Sequence, residues 1–128
     1  MKIEHLAIWV DDIELLRQFY TKYFDVTCSD KYVNPKRNYT SYFLSFGESK
    51  SRIELMNIPD MPEPVNRGQM KGLAHFAISV GSKNVVCALT EALRKDGYTI
   101  AGEPRTSGDG YYESVVLDPE GNYIEITE

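Results

Sequence analysis

Ile3-Glu4-His5-Leu6-Ala7-Ile8-Trp9-Val10, near the start of the chain, is answered past its midpoint by Leu73-Ala74-His75-Phe76-Ala77-Ile78-Ser79-Val80. A second echo follows each. Ile53-Glu54-Leu55 matches Ile124-Glu125-Ile126 at nearly the same interval from its histidine. Self-similarity of this kind marks one supersecondary unit used twice. The chain's only two histidines, His5 and His75, take the two equivalent positions, and each is paired by the repeat with one carboxylate, Glu54 or Glu125.

Working outward, each copy reads as strand, helix, then three strands. Ile3 to Val10 is apolar on both faces, as a central strand would be. Asp11 and Asp12 are helix caps, because an aspartate side chain accepts the unpaired amides of a first turn. Leu16, Phe19, Tyr20 and Tyr23 then recur at helical spacing. Val26 to Val33, Tyr39 to Phe46 and Arg52 to Ile58 follow as strands between turn-rich pieces. In the second copy Leu73 to Val80 is the strand, and Ser82 caps a helix with Val86, Leu89 and Leu93 on one face. Gly97 ends that helix in a left-handed conformation. Tyr98 to Ala101, Tyr111 to Leu117 and Asn122 to Thr127 complete the unit, with Asp118-Pro119-Glu120-Gly121 as a turn. The expected architecture is α+β: two tandem βαβββ units, about 1–58 and 72–128, forming a curved mixed sheet in a single domain. A proline-rich link over about 59–71 reads as an extended connector.

Parity decides where the polar groups point. Leu6, Ile8 and Val10 share one face, and His5, Ala7 and Trp9 the other. Phe76, Ile78 and Val80 likewise oppose His75, Ala77 and Ser79. Glu54 opposes Ile53 and Leu55, and Glu125 opposes Ile124 and Ile126. The aliphatic faces pack on the helices, so the four polar groups point to the opposite side of the sheet, into the cleft it would curve around.

Composition narrows the function classes. A net charge of −5 argues against nucleic acid, whose binding needs a basic face. Arg37, Arg52, Arg67 or Arg105 could still give a local positive patch for a small anion. Two cysteines, Cys28 and Cys87, form no metal pair by spacing, and their scarcity points to a reducing compartment. A chain that opens on a strand pattern, without a signal or a long apolar run, is expected in the cytoplasm and away from membranes.

Two imidazoles and two carboxylates suit a divalent ion: Ni, Co or Zn foremost, with Mn or Fe also compatible. A single histidine in an apolar strand is often only a hydrogen-bonded core residue. Jointly, four inward polar groups are hard to explain that way, because enclosed carboxylates without partners cost several kcal/mol each.

On these residues the chain resembles the vicinal oxygen chelate superfamily, and within it glyoxalase I-like proteins. The paired βαβββ units, the four positions and the closing Leu117-Asp118-Pro119-Glu120-Gly121-Asn122-Tyr123-Ile124-Glu125 carry the resemblance. It implies the glyoxalase/bleomycin resistance/dihydroxybiphenyl dioxygenase fold around a metal cleft, with His5, Glu54, His75 and Glu125 as metal ligands. It implies a lactoylglutathione lyase-like carbon–sulfur lyase that isomerises the hemithioacetal of a small 2-oxoaldehyde through an enediolate. Glu125 would be the principal base and Glu54 its counterpart. Proteins of this kind and length usually form homodimers with shared active sites. Glutamate at position 54 favours this reaction over the superfamily's epimerases, thiol transferases and extradiol dioxygenases. Metal-free drug-binding resistance proteins, the other alternative, have no need of two His–Glu pairs.

There is one departure. Trp9 stands where glyoxalase I usually places an arginine for a glutathione carboxylate, and an indole cannot pair with that group. The usual asparagine after the second ligand is also displaced, with Asn57 nearby. The thiol is thus left open, with Arg105 or Lys36 as other cations. The glycine-rich stretch Thr106 to Tyr112 reads equally as a lid or as a plain hairpin connection. Cys87, inside the second helix, reads as structural.

Overall fold

In the computed structural model the chain divides into two compact units, Met1–Glu63 and Pro64–Glu128. The structure describes residues 3–128, so the first two positions of the expected first unit lie outside it. The first unit holds β1 (His5–Trp9), α1 (Ile13–Tyr23), β2 (Val26–Cys28), β3 (Tyr32–Asn34), β4 (Tyr39–Phe46) and β5 (Ser51–Asn57). Its sheet runs β1-β5-β4-β2, with β3 also on β4. β1 is parallel to β5, and the other pairs are antiparallel. α1 starts where Asp12 accepts the amides of Glu14 and Leu15, at 3.1 and 2.9 Å. It buries Ile13, Leu16, Phe19 and Tyr20 on a sheet face that carries Leu44, Ile53 and Leu55, themselves at most 3% exposed. Full burial of one such leucine contributes roughly 1.5–3 kcal/mol.

Two expectations change here. The strand read across Val26 to Val33 is two strands, because three residues of β2–β3 face two of β4 between the pairs Cys28↔Leu44 and Tyr32↔Ser41. Within that irregularity the Ser29 hydroxyl accepts the Phe43 amide at 3.0 Å, standing in for a backbone carbonyl. β1, read as central, lies at the edge of its own sheet, bonded to β5 alone among the described strands.

The second unit holds β6 (Phe76–Ser79), α2 (Lys83–Lys95), β7 (Ile100–Thr106), β8 (Tyr112–Leu117) and β9 (Tyr123–Thr127), in the order β6-β9-β8-β7. β6 is parallel to β9. Ser82 caps α2 by accepting the Val85 amide. Gly97, at φ 88°, turns the chain so that Gly97 and Tyr98 donate back to Arg94 and Leu93, a Schellman ending. α2 buries Val86, Thr90 and Leu93. Thr90, which the apolar pattern passed over, is fully buried where Leu89 was expected, because its hydroxyl is satisfied by Val86 O and by Ser114 Oγ, both at 2.7 Å.

β7 runs further than Tyr98 to Ala101. Gly102 and Pro104 mask it in the sequence, and both fit an edge strand with register shifts. The link is also not simply extended. Arg67 donates to Asn122 at 2.7 Å, and Gly68 (φ 71°) lies so close to the Tyr123 ring that a Cβ would stand 2.5 Å from it. Each unit is thus a mixed sheet with one α-helix, the α+β class that was expected. No described helix is long and apolar enough to cross a membrane.

Candidate metal-binding faces

Register puts each carboxylate in the same setting. Glu54 lies between Ala7 of β1 and Phe43 of β4, and Glu125 between Ala77 of β6 and Val115 of β8. Both point away from the helix, as parity requires. His5 opens β1, whereas His75 stands one residue before β6, which begins at Phe76 rather than Leu73.

The structure brings His5 to Glu54, with Nε2 3.7 Å from Oε2, and His75 to Glu125, with the same atoms 3.5 Å apart. Both separations exceed a good hydrogen bond. The histidines are 38% and 49% exposed and the carboxylates 15% and 20%, so each pair is covered at its base and open at its tip. Among the described residues the donors of each unit come as a pair, not as a group of three or more.

The surroundings of the pairs differ. In the first unit Glu4 accepts the Nδ1 proton of His5 at 2.5 Å and is held from the other side by Arg52, also at 2.5 Å. The His5 hydrogen bond, then Arg52, holds the Glu4 carboxyl below its ordinary pKa against a smaller desolvation cost. With Nδ1 so engaged, Nε2 is the ring nitrogen that faces Glu54. That is how outer-shell carboxylates orient histidine ligands. Tyr39 donates from its hydroxyl to Glu54 Oε1 at 2.8 Å. Burial first, with the Glu54 carboxylate adding to it, raises the Tyr39 phenol above its ordinary pKa, so it remains a donor. Aromatic rings surround this pair: Phe43 edge-on to His5, and Trp9 and Tyr32 packed on Tyr39.

In the second unit Ala74 stands where Glu4 does. Glu113, two residues before Val115 and so on the same face, is only 7% exposed and lies 3.3 Å from Arg105. Burial, and then the Glu125 carboxylate, raise the Glu113 carboxyl above its ordinary pKa despite Arg105. Sequence reading missed Glu4, Tyr39 and Glu113. The first two carried no signal beyond standing near a candidate residue, Glu4 next to His5 in the chain and Tyr39 across a hairpin from Glu54. Glu113 had a usable signal, because it shares the parity of Val115 in a strand that neighbours Glu125.

Other candidates resolve too. Arg52, Arg67 and Arg105 are each committed to a partner in their own unit. Asn57 ties down the loop after β1, donating to the carbonyls of Val10 and Asp11. The 106–112 stretch is a hairpin turn closed on the pair Thr106↔Tyr112, with Ser107 donating to the Tyr111 carbonyl. Cys87 is half-buried and within 3.3 Å of the Tyr112 hydroxyl.

Comparison with known proteins identifies relatives of this fold. The family model described as the Glyoxalase/Bleomycin resistance protein/Dioxygenase superfamily matches residues 2–126. A lactoylglutathione lyase of Arabidopsis thaliana is 30% identical over 132 residues, covering 97% of this chain and 43% of that protein. The chain therefore spans less than half the length of that relative. Among solved structures, Leishmania major glyoxalase I, described as trypanothione-dependent, is 27% identical with a TM-score of 0.80, covering 100% of this chain and 86% of that one. Glyoxalase I from Zea mays is 26% identical with a TM-score of 0.79, covering 98% of this chain and 44% of that one.

Proposed function

The chain belongs to the glyoxalase/bleomycin resistance protein/dioxygenase superfamily, and from that premise we propose a metal-dependent lyase that isomerises the hemithioacetal of a small 2-oxoaldehyde and a thiol. One observation carries the reading. At equivalent sequence positions of both units, a histidine nitrogen and a glutamate oxygen stand 3.5–3.7 Å apart on the sheet face opposite the helix. In the first pair Glu4 engages Nδ1 of His5, so Nε2 and a Glu54 oxygen are left side by side, a setting for a cation. The donor set fits Ni, Co or Zn, and Mn or Fe less closely.

His5, Glu54, His75 and Glu125 would hold the ion. When bound, the metal supplies Lewis-acid polarisation of the substrate's neighbouring oxygens. Glu125 is the principal base: a carboxylate oxygen takes the C–H proton and returns it to the adjacent carbon, carrying the hemithioacetal through an enediolate to the thioester. Glu54 is its counterpart. Trp9, edge-on to Tyr39, gives an apolar wall where a thiol carboxylate would otherwise be held, which favours a low-molecular-weight thiol other than glutathione. A homodimer with shared sites belongs to the same reading, as is usual for proteins of this kind and length.

The test is elemental mass spectrometry of the purified protein beside His75→Ala and Glu54→Gln. The expected result is a stoichiometric divalent metal that both variants lose, followed by isomerase activity with one of several thiols. Protein that takes up no metal, even after reconstitution with each ion, sinks the lyase and leaves metal-free drug binding.

A further inference from the structure

We infer that Tyr39 is a positioning residue for Glu54: it occupies one carboxylate oxygen, so that Glu54 presents only the other, beside His5, to a bound cation. The inference rests on the metal reading above. Tyr39 is set at the first position of β4 by the Asn34–Asn38 turn, in which Arg37 donates to the Asn34 carbonyl and Asn38 takes a positive φ of 51°. That turn closes on the pair Asn34↔Tyr39. The Tyr39 ring is then held edge-on between Trp9 and Tyr32, with centroids 6.2 and 6.1 Å away. A ring fixed on two sides has few rotamers from which to release its hydrogen bond. With Oε1 bound to the phenol at 2.8 Å, Oε2 is the oxygen that faces His5 Nε2.

The other unit lacks this device. Tyr111, four residues before Val115 as Tyr39 is before Phe43, is 59% exposed at a hairpin turn. Glu125 has a second carboxylate, Glu113, beside it instead. One glutamate is therefore clamped as a single-oxygen ligand by a phenol, whereas the other has a second carboxyl group as its neighbour. This is a division of labour that the repeated sequence does not display.

The test uses the full chain loaded with Co(II), comparing the parent with Tyr39→Phe, Tyr111→Phe and Glu54→Gln. Visible absorption reports the coordination and titration reports the affinity, both independent of turnover. Tyr39→Phe should weaken Co(II) binding by about 10–100-fold, the usual effect of losing an outer-shell partner, and should alter the shape of the absorption band. Tyr111→Phe should leave both as in the parent. If Tyr39→Phe keeps the parent's spectrum and affinity while Glu54→Gln loses them, the positioning role is wrong and the metal site stands. Should the parent take up no Co(II), or Glu54→Gln bind it like the parent, the metal reading fails and takes this inference with it.

Discussion

The two units begin from one pattern and diverge around it. Each places a His–Glu pair at equivalent sequence positions on the same side of a mixed sheet. The first pair is then fenced in: Glu4 bonds to the histidine, Tyr39 to the glutamate, and the Phe43 ring stands edge-on to His5. The second has an alanine in place of Glu4 and a buried second carboxylate, Glu113, beside its glutamate. The cores differ in the same sense. α1 seats aromatic and aliphatic residues only, whereas α2 buries a Thr90–Ser114 hydroxyl pair. Duplication thus preserves the positions of the His–Glu pairs, while the side chains packed around each pair differ.

The comparison breaks most visibly if the two glutamates prove interchangeable. Glu125→Gln should lower kcat by about 10²–10⁴-fold, the range for a lost general base, whereas Glu54→Gln should act mainly through metal affinity. Equal kcat losses at matched metal occupancy would refute the division. A second contrast is in the cores. Leu16→Ala should cost the first unit about 3 kcal/mol in urea unfolding, through lost transfer energy and a cavity. Thr90→Val should cost about 1–3 kcal/mol by stranding the Ser114 hydroxyl, and adding Ser114→Ala should recover most of it, because removing both partners is nearly neutral.

The smallest effect is with pH. Tyr42, then Lys31 and Arg17, hold Glu14 at a pKa of about 2 against an ordinary 4.5. α2 has no acidic residue in its first turn. Between those values the unfolded chain binds the proton and the folded one does not, so stability present above pH 4.5 is lost as pH falls toward 2. Glu14 is 43% exposed, and solvent screening reduces its contribution to about 1 kcal/mol. Thermal melts of parent and Glu14→Gln should converge toward pH 2, and parallel curves would remove Glu14 from the account.

Most of the fold was legible because it depends on short-range rules. Alternation separated the aliphatic faces from the polar ones, Asp12, Ser82 and Gly97 bounded the helices, and Asp118 to Gly121 marked a turn. Misreadings came where a side chain replaced a backbone partner or a breaker sat in a strand. Ser29 interrupts the ladder between β2 and β3, Gly102 and Pro104 disguise β7, and the Thr90 hydroxyl is buried because it is bonded. The Phe43 amide that Ser29 accepts and the Ser114 hydroxyl that meets Thr90 lie far along the chain, where periodicity has no access.

The same boundary runs through the site. Residue identity and spacing alone determined that His5 and Glu54, and His75 and Glu125, share a sheet face in each unit, because strand parity is a local property of the backbone. Only the tertiary structure decided that Tyr39 bonds to Glu54, that Glu4 bridges His5 and Arg52, and that Glu113 crowds Glu125. Those contacts depend on register between strands and on side-chain reach across them, and one residue of slip would abolish them all.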